Sequence, residues 1–364
     1  MSKLFEPLRL RSVTFPNRLW LSPLCMYSAA DTGELTGAPT DFHLTHLASR
    51  AAGGAGLVMA EASAVSPEGR ISPFDLGLWN DTQREAFARV TSAVKAHGAV
   101  PGIQLAHAGR KASIGKPWLG GKPVGTGQGG WVTRGASPVA FEGYPVPHEL
   151  SVEEIQEVVA TFAQAAVRAR EAGFEVVEIH GAHGYLLHSF LSPASNQRTD
   201  AYGGSFENRT RLAVEVVEAV RAVWPEELPL FFRVSGTDWI TETHGEGRPA
   251  WTPADTQALA ALLKTKGVDL VDVSSGGLVR DVVIPADTDY QTRLAGPVRA
   301  ASGVAVATVG RVTEARQAEE LVASGQADAV FVGRQLLRDA YWPNRVAVEL
   351  GATPRVPEQY AYAV

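Results

Sequence analysis

Short apolar runs alternate along this chain with longer stretches in which apolar residues recur every three to four positions. The runs lie at 19–24, 56–62, 100–106, 176–180, 228–234, 269–274, 304–309 and 328–332. The stretches of helical period follow near 41–53, 81–97, 152–172, 205–223, 253–266, 290–301, 313–324 and 336–349. The runs do not alternate apolar with polar residues, as expected of parallel strands covered on both faces. Eight strand-then-helix units in one series predict a (β/α)8 barrel, with 1–364 as a single domain. A doubly wound open sheet is the competing arrangement, but it rarely runs to eight units without interruption. Helix punctuation agrees. Gly98, Gly173, Gly267, Gly303 and Gly325 each stand just past a helical stretch, and Ser151, Thr252 and Thr313 stand at predicted N-caps. The Gly- and Pro-rich stretch 113–149, after the third strand, is too long for an ordinary connection. It is read as a lid or short inserted hairpin capping the mouth of the barrel, with a solvated insertion as the alternative.

Composition narrows the function. The 33 basic and 39 acidic residues leave a net charge of −6 without charge blocks, which argues against nucleic acid or an anionic membrane as the main partner. The single cysteine, Cys25, excludes an internal disulfide framework and a Cys-based metal cluster. No apolar run approaches the ~20 residues of a spanning helix, and no signal peptide is visible. The expectation is a soluble cytoplasmic protein.

Barrels place their working residues at the C-terminal ends of strands. Strands seven and eight end in Gly310-Arg311 and Gly333-Arg334, where barrels commonly bind phosphate: glycine lets backbone N–H groups approach an anion, and arginine offers a planar charged fork. A phosphorylated substrate or cofactor is implied. Gln104 and Arg233 end strands three and five and suit hydrogen bonding to a heterocycle, or else satisfaction of a neighbouring carboxylate. Strand four ends in His180-Gly181-Ala182-His183-Gly184-Tyr185. The paired histidines suit hydrogen-bond donation to one carbonyl oxygen, and Tyr185 suits proton donation.

Several alternatives compete. His180 and His183 with a carboxylate such as Asp238 would make a metal-dependent hydrolase, but a lone His-x-x-His is a weak metal signal and no metal site is assigned. Gly125-Thr126-Gly127-Gln128-Gly129-Gly130 fits G-x-G-x-x-G, yet it follows no apolar strand and opens no periodic helix, so a Rossmann reading fails. A cofactor-binding protein without turnover is a further possibility.

These residues also resemble a known family. The segments Ser22-Pro23-Leu24-Cys25-Met26-Tyr27, Gln104-Leu105-Ala106-His107-Ala108-Gly109-Arg110-Lys111 and 180–185 resemble those of the Old Yellow Enzyme family of flavin-dependent ene-reductases. So do Phe190-Leu191-Ser192-Pro193, Asn196-Gln197-Arg198-Thr199-Asp200, Tyr202-Gly203-Gly204-Ser205 and Glu207-Asn208-Arg209, and the cysteine marks the thermophilic-like subgroup. The resemblance spans nearly the whole chain. It implies a barrel holding FMN non-covalently at its mouth. Ser22, Pro23, Leu24, Cys25, Ala62, Gln104 and Arg233 would surround the ring. Gly310, Arg311, Gly333 and Arg334 would hold the phosphate. Tyr27, His180, His183 and Tyr185 would line the substrate side. NADPH or NADH would supply hydride, and an activated alkene such as an enone would receive it in a second step, with Tyr185 or water protonating the α-carbon. Flavoproteins of other reaction classes, such as demethylases and dienoyl reductases, are disfavoured by the length and the lone cysteine. Members of the subgroup often carry a C-terminal arginine that reaches a neighbouring subunit. Here Tyr362 stands at the comparable place, and it is expected to line the partner's site in a homo-oligomer.

Overall fold

The computed structural model describes residues 2–363. Two three-residue strands open the chain, β1 (Leu8–Leu10) and β2 (Val13–Phe15), as an antiparallel hairpin turning at Arg11. Eight parallel strands then close into a barrel: β3 (Leu19–Leu21), β4 (Leu57–Ala64), β5 (Val100–Ala106), β8 (Val176–Gly181), β9 (Leu230–Ser235), β10 (Leu270–Ser274), β11 (Ala305–Val309) and β12 (Ala329–Val332). Strand order follows the chain, and β12 pairs with β3 to complete the ring. Between β5 and β8 lie β6 (Arg134–Gly135) and β7 (His148–Glu149), a short pair inside the 113–149 stretch. That pair is parallel, but the first part of the stretch does turn back on itself: Ile114 faces Pro123 in an antiparallel bridge, Val124 N–H donates to Ser113 O and Gly115 N–H to Lys122 O, a short hairpin-like turn.

The barrel helices are α1 (Asp41–Ala52), α2 (Asp81–Ala96), α3 (Val152–Glu171), α5 (Phe206–Val223), α7 (Pro253–Thr265), α8 (Ala295–Ser302), α9 (Ala315–Ala323) and α11 (Trp342–Glu349), with short α4 (Leu186–Leu191), α6 (Ile240–His244) and α10 (Arg334–Arg338) on the loops after β8, β9 and β12. Ser151 and Thr252 cap α3 and α7 in reciprocal boxes with Glu154 and Asp255. Thr313 does not cap: α9 begins two residues later, with Glu314 at its N-cap. The helical pattern at 336–349 is broken at 339–341, because Pro343 fits only the first turn of a new helix. The pattern at 290–301 begins as a 3-10 turn, Thr292–Leu294, before α8.

The barrel interior is layered. Leu57, Val100, Val176 and Leu270 fill its N-terminal end, and the hairpin's Phe15 packs beneath Trp20 at 4.7 Å between ring centroids. Trp20 stacks on Phe231 and meets Phe331 edge-on. One strand register higher the inward positions turn polar, with Gln104, Glu178, Arg233 and Asp272 all buried. A bulge in β4 sets Glu61 and Ala62 against the single residue Gln104 of β5. Among the described residues no helix is long and apolar enough to cross a membrane.

Candidate active site

Above the polar layer the C-terminal mouth opens into a cavity of about 500 Å³, a normal size for a small-ligand site. One wall is largely apolar, built from Ser22, Pro23, Leu24, Cys25 and Ala62. The β4 bulge is what carries Ala62 into it: the extra residue bends the strand, and a methyl group keeps the wall thin.

The inner edge is polar. Gln104 donates from Nε2 to Glu178 Oε1 at 2.7 Å. Arg233 Nε lies 3.1 Å from Asp272 Oδ2, and its Nη1 reaches Ser22 Oγ at 3.5 Å. The carboxylate-satisfying role anticipated for Gln104 and Arg233 is therefore present, and both side chains still line the cavity. Burial raises the pKa of both Glu178 and Asp272 above the usual carboxylate range.

His180, His183 and Tyr185 share the next wall. Their rings meet edge to face, His180 5.1 Å from His183 and 5.2 Å from Tyr185. Burial, then the Arg233 charge, pushes both imidazoles well below their ordinary pKa, so they are neutral near pH 7. Ala182 N–H donates to His180 Nδ1 at 3.3 Å, which leaves the ring proton on Nε2 as a free donor. His183 sits at φ +60, its N–H donating to Ser235 Oγ and its Nε2 2.7 Å from Ser274 Oγ. Burial holds the Tyr185 phenol and the Cys25 thiol in their protonated forms.

The outer end is cationic. Gly310, Arg311, Gly333 and Arg334 all reach the cavity, joined by Thr313 and Arg338. Arg338 was not anticipated. Its signal is its spacing, four residues beyond Arg334 on α10, which stacks the two guanidinium groups on one face. Arg311 behaves differently from Arg334: its Nη1 donates to the carbonyls of Pro285 and Asp287, and its guanidinium covers Tyr290 at 4.4 Å. Arg311 lines the cavity, but its guanidinium is committed to the loop after β10.

Two predicted residues lie off the cavity wall. Tyr27, at φ +52, packs like Cys25 and Tyr185 against the buried cluster Ile71, Ala108, Ala112 and Ile114, and meets Trp118 of the 113–149 stretch edge-on at 5.8 Å. Tyr362 lies on the C-terminal 3-10 turn Glu358–Ala363 and is 92% exposed. Asp238, the carboxylate of the hydrolase alternative, is buried and accepts bonds from Ser192 Oγ and the N–H groups of Trp251 and Ile240. The Gly125–Gly130 stretch forms an exposed 3-10 turn, Thr126–Gln128.

An apolar slot, an amide and guanidinium edge and a cationic end fit a flat heterocycle carrying a phosphate, so the mouth defines a barrel built for a phosphorylated aromatic cofactor. The chain belongs to the NADH:flavin oxidoreductase / NADH oxidase family, the family of Old Yellow Enzyme, whose profile spans residues 3–352. It is 46% identical over 364 residues to the NADPH dehydrogenase of Listeria monocytogenes, covering 100% of this chain and 99% of that one. It is 45% identical over 360 residues to the NADPH dehydrogenase of Bacillus pumilus, covering 99% and 98%. Among solved structures, morphinone reductase superposes with a TM-score of 0.78 at 29% identity, over 98% of this chain and 92% of that one. The Old Yellow Enzyme homologue from Zymomonas mobilis superposes at 0.79 with 28% identity, over 98% and 96%. An FMN-dependent oxidoreductase drawing hydride from a reduced nicotinamide follows from that membership.

Proposed function

We propose that this enzyme reduces the activated C=C bond of α,β-unsaturated carbonyl compounds, with NADPH or NADH as donor in a ping-pong cycle. The observation that carries the reading is the neutral imidazole pair of His180 and His183 beside a protonated Tyr185 on one wall of the cavity.

FMN, when bound, would supply two-electron hydride chemistry between the nicotinamide and an electrophilic carbon. The residues that would hold it are Ser22, Pro23, Leu24, Cys25, Ala62, Gln104 and Arg233 around the ring, with Gly310, Arg311, Gly333, Arg334 and Arg338 at the phosphate. Arg233 places a fixed positive charge at the polar edge. His180 from Nε2, and His183 from Nδ1 since its Nε2 meets Ser274 Oγ, donate hydrogen bonds to the substrate carbonyl, where negative charge grows as the β-carbon is reduced, and preset donors there lower the barrier. Neutral rings serve this role without giving up their protons. Tyr185, kept protonated by burial, delivers the proton to the α-carbon. Tyr27 and Trp118 border the approach. Tyr362, exposed and remote from its own cavity, serves a partner subunit's site.

The test separates the two halves. Anaerobic NADPH should bleach the yellow holoenzyme, and cyclohexenone should restore the colour. His180→Ala should weaken enone binding about tenfold or more, the loss of one donor to a developing charge, while FMN content is retained. Holoenzyme that NADPH bleaches but no enone reoxidises refutes the substrate class.

A further inference from the structure

The loops after β8 and β10 touch backbone to backbone at the mouth. A Cβ on Gly277 would fall 2.7 Å from His183 Cα, and one on Gly184 would fall 2.4 Å from Gly277 O. Both loops run left-handed there, with φ of +60 at His183, +74 at Gly184, +68 at Gly276 and +86 at Gly277. The glycines adopt this freely, but for His183 it is a strained conformation that the surroundings must hold. Their carbonyls converge on one group from a third loop. Lys111 ends the 3-10 turn Gly109–Lys111 after β5, and its Nζ donates to His183 O and to Gly277 O, both at 2.8 Å. The same ammonium lies 4.6 Å from the Phe141 ring centroid and 5.2 Å from that of Tyr185.

We propose that Lys111 is a positioning residue: it clasps the loops after β8 and β10 and thereby fixes His183 and Tyr185 for the alkene half of the reaction. The inference rests on the function proposed above for those two side chains. The clasp ties three loops through one charge. It neutralises two carbonyl dipoles that would otherwise face each other, and it holds the His183 backbone in its costly conformation. Through that backbone it sets the imidazole that meets Ser274, and through its contact with the phenol ring it sets Tyr185.

The clasp also carries a pH dependence. Lys111 is largely out of water, and the charges acting on it, Arg110 and Arg280, share its sign. Burial, then these two charges, brings its pKa down to about 7. At its end of β8 and on α4, burial keeps His180, His183 and His188 neutral and Tyr185 protonated; Glu178, lower on β8 and bonded to Gln104, titrates higher, at about 8. As pH rises through 7 the amine loses one donor, its charge and its attraction to both rings. Alkene reduction should therefore fall.

Two variants of the FMN-loaded enzyme test this. Lys111→Met should slow reoxidation of the reduced enzyme by cyclohexenone about tenfold near pH 6, the equivalent of one charge-assisted hydrogen bond, and should abolish the inflection near 7. Lys111→Arg keeps a permanent charge; it should retain most of the rate and lack the inflection near 7. Hydrogen exchange gives a readout independent of turnover: amides in 182–185 and 275–279 should exchange about tenfold faster in Lys111→Met. A Lys111→Met enzyme with the parent's rate and pH profile overturns the clasp, as does a Lys111→Arg enzyme that keeps the inflection. Should Lys111→Met fail to fold, Lys111→Arg alone decides. If the parent is bleached by NADPH but not reoxidised by the enone, the function reading fails instead, and unaltered exchange in the two loops then overturns the clasp on its own.

Discussion

Glu61 shows how much one buried carboxyl can govern. It lies at the bulge of β4, where Oε1 accepts the Met26 N–H at 2.8 Å, one residue before Tyr27 in its left-handed conformation. Its other oxygen is 3.7 Å from His43 Nε2, but burial lowers that imidazole to about 4, so no ion pair forms at neutral pH. Burial raises Glu61 itself to about 8. A folded-state pKa raised above the unfolded value near 4.5 gives stability that is complete below that value and is lost as pH climbs through 8. Glu61→Gln keeps an acceptor for Met26 without the ionisation. Between pH 5 and 9 the parent should therefore lose stability relative to Glu61→Gln, with a ceiling of roughly 4–5 kcal/mol, read from melts across pH. Parallel pH profiles for the two proteins would mean that Glu61 does not ionise inside the fold. Single residues of this kind are only partly legible from sequence. His180, His183 and Tyr185 announce themselves because the end of a strand fixes where they point. Glu61 does not, because the bulge that swings it behind Ala62 leaves no mark in the apolar pattern. Arg311 shows a related gap: sequence places it at the anion end, but the carbonyls of Pro285 and Asp287 that take its guanidinium are known only from the fold.

At the scale of elements, the eight strands and most of the helices lie where the apolar runs predict, since parallel strands buried on both faces leave uninterrupted runs. What escapes is short or irregular. The β1–β2 hairpin has three residues per strand, too few for a period to show. The 113–149 stretch has no pattern at all, and the segment that fastens it lies far along the chain. Asn196 Nδ2 donates to the carbonyls of Phe190 and Tyr202, and Gln197 N–H donates to Ser137 Oγ. Arg198 reaches furthest: Nη1 donates to Ala136 O at 3.1 Å and Leu150 O at 2.6 Å, while Nε and Nη2 hold Asp200. The Asn-Gln-Arg segment is thus a fastener between the loop after β8 and the stretch bordering the mouth. Arg198→Met would strand two buried carbonyls, at about 1–3 kcal/mol each. That cost should appear locally. Limited proteolysis within 113–149 should speed up several-fold while the barrel stays intact, and equal cleavage rates would show that the stretch is held by other contacts.

Across the whole molecule, the axis of the barrel divides structure from chemistry. Its upper half is polar and open, and the ionisable side chains there sit in mutual contact at a cost in desolvation. Its lower half is a dry aromatic plug, and the hairpin completes it. Arg11 pins the hairpin from below, pairing with Asp269 and donating to Glu226 O, while Ser12 N–H donates to Glu227 O, so the loops before β9 and β10 are gathered under the same lid. Phe15 is fully buried there, 4.7 Å from Trp20 and 6.2 Å from Phe231 between centroids. Truncating a buried phenylalanine costs about 3–5 kcal/mol, through lost transfer energy and the void left behind. With an unfolding entropy of about 2.1 cal/mol/K per residue, a loss of ~4 kcal/mol lowers the Tm of a chain this long by about 5 °C. Between Phe15 and the cofactor cavity lie Trp20 and the polar layer, with Phe331 above Trp20 reaching the cavity wall, and their close packing is rigid enough to isolate the damage. Phe15→Ala should therefore melt about 5 °C lower, yet bind FMN with parent stoichiometry and turn over at the parent rate well below its Tm. A lowered turnover or weakened FMN binding at room temperature would show that the plug sets the geometry of the mouth; an unchanged Tm would show that the hairpin unfolds apart from the barrel.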